Sequence, residues 1–196
     1  MKLIGLTGGI GSGKTTALNK FKELGVPCFV TDDEAKKLYN IPSFCTELTK
    51  HFGDKILDNN GQIDKKSLAK IVFSNQEELN ILNSLIHPRV RQRFFEWCKE
   101  IEHSNKNTPY IIIESAILYE TGLNKMLDGV IVVYLEKEER IKRAMLRDNA
   151  TREQIESRIS KQMPDEEKLK LADFVILNYE GNPLDKQVEI INRILQ

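Results

Sequence analysis

The sequence predicts an α/β protein with three layers, in which helices cover both faces of a five-stranded parallel sheet. Five short segments rich in β-branched or aromatic residues are predicted as buried strands: 2–7, 27–30, 110–114, 130–135 and 174–177. The segments between them have helical spacing. Strands that alternate with helices pair in parallel through right-handed crossovers. In such a doubly wound sheet, the ligand is expected at the carboxyl ends of the strands.

The first predicted strand leads directly into a glycine-rich segment with the sequence GGIGSGKT. Its spacing, G-x-x-x-x-G-K-[ST], and its position between a strand and a helix-spaced segment predict a phosphate-binding P-loop rather than a chance match. The glycines tolerate positive φ and leave room for phosphate oxygens, so we expect backbone N–H groups to surround an anion at a helix N-terminus. The predicted ATP-binding residues are Gly8, Gly9, Gly11, Ser12, Gly13, Lys14, Thr15 and Thr16.

Two side chains of this loop have predicted chemical roles. Lys14 is expected to reach the β- and γ-phosphates as a point charge. The Thr15 hydroxyl is expected to coordinate Mg²⁺. The fold is therefore predicted to be that of a P-loop NTPase.

Composition narrows the class of protein further. The 196 residues are 40% hydrophobic, which favours one domain with insertions. Lysine plus arginine equals aspartate plus glutamate, at 29 each, so no overall charge favours nucleic acid or an anionic membrane. The three cysteines form no C-x-x-C pair and are expected to be reduced. With no signal peptide or apolar stretch of ~18 residues, a soluble cytoplasmic protein is predicted.

The chain is predicted to be a single kinase domain with two inserted regions. The stretch from about 34 to 108 is too long for one crossover helix, and it is expected to bind the second substrate. It contains predicted helices at 34–39, 43–52, 65–73 and 77–101, and a polar loop at 103–108. A second region, from about 136 to 171, is rich in charge and is predicted to form a helical lid. The core is then 1–33, 109–135 and 172–196.

Asp32 follows the second predicted strand, where strand ends converge on the ligand. Its carboxylate is predicted to accept the proton of an attacking hydroxyl or to hold Mg²⁺ through water. The alternative is that Asp32 or Asp33 caps the next helix.

Glu114 ends the third predicted strand and is a weaker candidate to contact the metal or its waters, by analogy with other P-loop enzymes. An acid that ends a strand in solvent is the alternative, and Glu120 is a competing candidate.

Two arginines of the predicted lid, Arg143 and Arg147, are expected to neutralise the transferring phosphoryl group, because they share a helix face and guanidinium groups bind phosphate bidentately. The alternative is a solvated helix in which Glu139 pairs with Arg143.

The predicted insertion contains His87-Pro88, which on residue chemistry alone indicates a structural histidine at a helix boundary or kink. Nearby arginines at 89, 91 and 93 form a basic cluster that could contact a second phosphorylated ligand, or simply face solvent. After the last predicted strand, Asn178 and Pro183 lie where adenine could pack, or where the chain turns.

Taken together, these residues resemble the dephospho-coenzyme A kinase family nearly from end to end. The segments that carry the resemblance are 6–15, 32–35, 82–83, 87–90, 117–120, 143–148, Arg158, Gln162 and 172–178. The chain departs from the family pattern at Val30, where an aspartate is usual, at Ala116, where a proline is usual, and at Thr15, where serine is commoner. None of these departures removes a required group, although Val30 leaves the role of base to Asp32 alone.

The resemblance implies transfer of the γ-phosphoryl group of ATP to the ribose 3′-hydroxyl of dephospho-coenzyme A, the last step of coenzyme A synthesis, with Mg²⁺ as cofactor. Lys14, Asp32, Arg143 and Arg147 would be catalytic; Asp32, His87, Arg91 and Glu120 would bind the acceptor; and Asn178 would contact the nucleotide. We expect a monomer or weak homo-oligomer without a nucleic-acid or membrane partner.

Three other classes remain as alternatives. Another small-molecule kinase of the same fold, acting on a nucleoside, a nucleotide or shikimate, differs only in the shape of the insertion. A GTPase would need an asparagine-lysine-x-aspartate motif, and the nearest approach, at 124–128, has one residue too many. A nucleotide-gated scaffold without turnover conflicts with the joint presence of the loop lysine, the metal-binding hydroxyl and the strand-end acid.

Overall fold

The computed structural model describes residues 1–104 and 107–196. The strands of these residues are β1 (Lys2–Thr7), β2 (Cys28–Val30), β3 (Tyr110–Glu114), β4 (Gly129–Tyr134) and β5 (Phe174–Leu177). The α-helices are α1 (Lys14–Glu23), α2 (Thr31–Leu38), α3 (Pro42–Phe52), α4 (Lys65–Ser74), α5 (Gln76–Ser104), α6 (Lys137–Asp148), α7 (Arg152–Ile159), α8 (Asp165–Lys170) and α9 (Leu184–Leu195). Two compact units result, one of Met1–Val30 with Glu100–Gln196 and the other of Thr31–Lys99.

The first unit contains the sheet, with strand order β2-β3-β1-β4-β5 and all neighbours parallel. Leu6 in the central strand β1 is in register with Glu114 of β3 and Ile131 of β4. The predicted five-stranded parallel sheet is therefore confirmed. Because β1 is central, the loop that follows it lies in the middle of the edge where the carboxyl ends of the strands meet.

A hydrophobic core packs α1 and α9 against one face of this sheet. Its buried members include Phe21 and Ala17 of α1, Ile191 of α9, and Ile4 and Ile112 of the strands. A smaller cluster joins α6 to α7 and consists of Ile141, Ala144 and Ile155, with Ile10 of the glycine-rich loop packed against it. Buried apolar contacts therefore hold α1, which follows the loop, and also α6 and α7, against which Ile10 of the loop packs.

The second unit is helical, with Phe44, Leu48 and Phe52 of α3 buried. Its helix α2 begins at Thr31, so Asp32 and Asp33 both lie in the first turn. The alternative that one of them caps the helix from outside is wrong. Both carboxylates instead lie near the positive end of the helix dipole.

Two other expectations about helix boundaries need correction. Pro88 lies inside α5, which continues to Ser104, so of the two alternatives at His87-Pro88, boundary or kink, the boundary is wrong. His103 and Ser104 are helical rather than part of the predicted polar loop, and Asn105 and Lys106 of that loop lie outside the described residues. Among the helices of residues 1–104 and 107–196, none combines the length and apolar character that crossing a membrane requires.

Candidate active site

The glycine-rich loop joins the end of β1 at Thr7 to the start of α1 at Lys14. Gly13 precedes α1 with φ 96°, and Gly11 has φ 81°, both in the left-handed region that favours glycine. Gly8 also has positive φ, but Gly9 does not. A Cβ at Gly9 would instead overlap the guanidinium of Arg140. Glycine at this position lets the Arg140 guanidinium lie close to the backbone of the loop.

Hydroxyl groups at this loop fit the binding of a polar ligand. The Oγ1 of Thr7 and the Oγ of Ser12 are buried, and neither has a hydrogen-bond partner among the described residues. A buried hydroxyl without a partner lowers stability, and a hydrogen bond to a bound anion or to water would restore it. Thr15 and Thr16 are exposed in the first turn of α1, where the helix dipole favours anions.

The ammonium group of Lys14 lies over the loop backbone. Its Nζ donates hydrogen bonds to the carbonyl oxygens of Gly8, at 2.9 Å, and Gly9, at 3.3 Å. These neutral acceptors keep the cation at the loop, in the position where the sequence predicts phosphate contacts.

Arg140 is a deeply buried cation beside the loop, with its side chain only 3% exposed. Its Nε donates to the carbonyl oxygen of Leu135 at 3.1 Å, and its Nη1 donates to that of Ile10 at 3.2 Å. Its Nη2 forms an ion pair with Asp165. Arg140 therefore connects the end of β4, the phosphate loop and α8.

The carboxylate of Asp165 and the ammonium of Lys168 extend this charged cluster. Burial raises the pKa of Asp165 above its usual value, although the nearby Arg140 and Lys168 cations oppose that shift. Burial also lowers the pKa of Lys168, which is fully buried and lies 3.5 Å from Glu120 Oε1. Glu120 also accepts the N–H of Met163 at 2.6 Å. Glu120, predicted to bind the acceptor, thus has contacts within this cluster.

Sequence reasoning missed Arg140, which lies in the predicted lid of about 136 to 171 and was given no role there. Arg140 stands one and four residues before Ile141 and Ala144, which are buried. A charge on the apolar stripe of a helix was the available signal. Gln162, quoted only for the family resemblance, also contacts the loop, since its Oε1 accepts the N–H of Ile10 at 3.0 Å.

The two predicted lid arginines are exposed on α6. Arg147 pairs with Asp148 at 2.7 Å, and the two arginines Arg147 and Arg158 hold the pKa of Asp148 well below its usual range. Glu139, the alternative partner of Arg143, pairs with Lys142 instead.

Two predicted strand-end residues lie in the same unit as the loop. Glu114 is buried, so the alternative that it ends its strand in solvent is wrong. Asn178, directly after β5, donates from Nδ2 to the carbonyl oxygen of Ser12 at 2.8 Å. Its amide therefore supports the loop.

In the second unit, a groove of about 550 Å³ runs along α5 and is lined by His87, Arg91, Phe95 and Lys99, among others. Burial, with Arg91 nearby, lowers the pKa of His87, which favours neutral imidazole. Asp32 is exposed in α2 of the same unit.

The fold, the glycine-rich loop and its lysine define a P-loop phosphotransferase. A family model described as dephospho-CoA kinase matches residues 2–183. The chain belongs to the dephospho-CoA kinase family, and the resemblance seen in the sequence is confirmed.

Individual relatives agree with this assignment. A dephospho-CoA kinase of Bacteroides fragilis is 40% identical over 187 residues, covering 94% of this chain and 88% of the relative. A crystal structure from Thermus thermophilus matches with a TM-score of 0.86 at 31% identity, covering 100% of this chain and 98% of that one. A dephospho-CoA kinase from Campylobacter jejuni matches with a TM-score of 0.71 at 31% identity, covering 98% and 96%.

We predict that Arg140→Met destabilises the protein by about 3 kcal/mol, because it leaves the largely buried carboxylate of Asp165 without its arginine partner. The double variant Arg140→Met/Asp165→Leu should recover most of that loss, since both charges are then removed. Chemical denaturation measures the free energy of unfolding of each. Equal stability of the single and double variants would contradict the ion pair's role.

Proposed function

We propose that this protein transfers the γ-phosphoryl group of ATP to the ribose 3′-hydroxyl of dephospho-coenzyme A, giving coenzyme A and ADP. The observation that carries the proposal is the phosphate loop after the central strand, in a chain of this family. The loop N–H groups, the α1 dipole and Lys14 together bind the triphosphate of the donor. The other proposed site residues then orient the acceptor and neutralise the negative charge of the phosphoryl group during its transfer.

The loop residues also fit the use of Mg²⁺. Among residues 1–104 and 107–196 no cluster of three or more His, Cys, Asp or Glu side chains could hold a metal ion. Mg²⁺ commonly retains several waters and binds through few protein groups and substrate phosphates, so Thr15 suffices as a protein ligand. When bound, Mg²⁺ neutralises charge on the β- and γ-phosphates.

Asp32 is proposed as the general base that accepts the proton of the 3′-hydroxyl. It lies in the first turn of α2, which follows directly on β2, and strand ends of this fold converge on the ligand. Its exposure leaves the carboxylate accessible to an alcohol. Arg143 and Arg147 are proposed to neutralise the transferring phosphoryl group by bidentate hydrogen bonds.

The groove along α5 is proposed as part of the acceptor site. Arg91 would bind a phosphate of dephospho-coenzyme A, and neutral His87 would offer both a donor and an acceptor. Phe95, which is 39% exposed, gives the groove an apolar surface. Glu120 of the first unit, whose carboxylate accepts the N–H of Met163, is also proposed to bind the acceptor, at a part other than its phosphates because two anions repel each other.

The protein's partners are then ATP and dephospho-coenzyme A, and we propose a monomer or weak homo-oligomer in the cytoplasm. A reducing compartment fits its three cysteines, Cys28, Cys45 and Cys98, none of which forms a disulfide within the described part of the chain.

The assay that tests this function uses purified protein with ATP, Mg²⁺ and dephospho-coenzyme A. We expect ADP release that depends on the acceptor, and a Lys14→Ala variant should show almost none because the phosphates lose their cation. Nucleosides, nucleotides and shikimate are assayed as alternative acceptors, and GTP is assayed as an alternative donor. No ADP above the acceptor-free background would reject the proposal.

The base is tested by Asp32→Asn, which keeps the size of the side chain but removes its basicity. We expect kcat to fall about 100-fold while the KM values change little. Asp33→Asn is the matched control, since this adjacent, exposed carboxylate pairs with Lys36 at 2.8 Å. Nearly full kcat in the Asp32 variant would exclude the role.

The acceptor groove is tested by Arg91→Ala. Loss of a charge-assisted hydrogen bond should raise KM for dephospho-coenzyme A about tenfold and leave KM for ATP unchanged. Lys50→Ala removes a positive charge from another helix of the same unit and should alter neither constant. Equal changes in both KM values for Arg91→Ala would argue against a specific contact with the acceptor.

A further inference from the structure

Ile10, at the tip of the phosphate loop, is held by three contacts with the segment 136–171. Gln162 Oε1 accepts its N–H at 3.0 Å, and Arg140 Nη1 donates to its carbonyl oxygen at 3.2 Å. Its side chain packs against the cluster that includes Ile141 and Ile155. Both polar groups of this residue's backbone are therefore bound by side chains distant in sequence.

The amide of Gln162 also reaches a second loop. Its Nε2 donates to the carbonyl oxygen of Ala116, in the segment after β3, at 3.0 Å. One amide thus links the loops that follow two adjacent strands, β1 and β3. Because Ile10 offers a donor and Ala116 an acceptor, only one orientation of the amide satisfies both.

The hydrogen bond to Ile10 determines which way the preceding carbonyl points. The Gly9–Ile10 peptide is trans, so its N–H and the carbonyl of Gly9 point in opposite directions. With the N–H turned toward Gln162, the Gly9 oxygen accepts from Ser12 N at 3.1 Å and from Lys14 Nζ at 3.3 Å. Gln162 thereby places the carbonyl that closes the loop and holds its lysine.

We propose that Gln162 is a positioning residue of the phosphate loop, which fixes the Gly9–Ile10 peptide so that the loop has its anion-binding shape before nucleotide arrives. This inference rests on the proposed function, because it assumes that the loop binds ATP. Without the amide, the Ile10 N–H loses its acceptor and the Gly9–Ile10 peptide is held less firmly, so that binding phosphate must first order it. Asn178, through Ser12, anchors the loop independently. Loss of Gln162 therefore weakens binding without abolishing it.

The test is Gln162→Met, which retains the length of the side chain and removes both hydrogen bonds. Calorimetric titration with ADP and Mg²⁺ needs no acceptor, so it is separate from the assay of the proposed reaction. We expect the Kd for ADP and the KM for ATP to rise about tenfold, with KM for dephospho-coenzyme A unchanged. Gln162→Ala serves as a second variant if the methionine variant does not fold.

Gln154→Met is the matched control. Gln154 lies in the same segment, and its Oε1 also accepts a backbone N–H, that of Thr151, at 3.0 Å. The substitution removes the hydrogen bond that caps the N-terminus of α7, so it should lower Tm but leave ADP affinity unchanged. ADP binding by Gln162→Met as tight as that of the wild type would overturn the proposal, as would equal losses of affinity for ADP and acceptor. Normal ADP binding by a wild type that lacks kinase activity would reject only the proposed function.

Discussion

A single buried guanidinium connects the parts of the first unit that form the phosphate site. Arg140 donates to a carbonyl at the end of β4 and to a carbonyl at the tip of the phosphate loop, and it pairs with an acid of α8. An arginine buried to this degree is stable only when its charge and donors are matched. Its partner Asp165 is therefore a structural requirement for the loop, although it is far from the loop in sequence.

The cluster around Arg140 is electrically balanced. It contains two cations, Arg140 and Lys168, and two anions, Asp165 and Glu120. Burial shifts the pKa of Asp165 upward and that of Lys168 downward, so each group would lose its charge more readily than in water. Lys14 of the phosphate loop also acts on this cluster, because its positive charge opposes the upward shift of the Asp165 pKa.

The sequence predicted the sheet well because parallel strands buried on both faces leave a strong apolar pattern, as in β3. It also predicted the phosphate loop, since a lysine at this fixed spacing among glycines, between a strand and a helix, is a specific motif for phosphate binding. Contacts made across the fold were not predictable in the same way. That Gly9 faces Arg140, and that Gln162 reaches Ala116, depends on the packing of α6 and the following chain against the loop. The helical segment at His103 was missed because polar residues at a helix end resemble a loop.

The attachment of Ile10 to residues 140 and 162 also limits how the segment 136–171 can move. A displacement of this segment must either move the tip of the loop with it or break the two hydrogen bonds and the apolar contact that Ile10 makes. Lys14 has a different freedom, because its neutral carbonyl acceptors can be replaced by phosphate oxygens, which form stronger charge-assisted bonds. Nucleotide binding therefore requires least rearrangement when the lysine side chain moves and the backbone of the loop stays in place. The hydrogen bonds from Arg140 and Gln162 favour that outcome, since they hold the peptide groups on either side of Ile10.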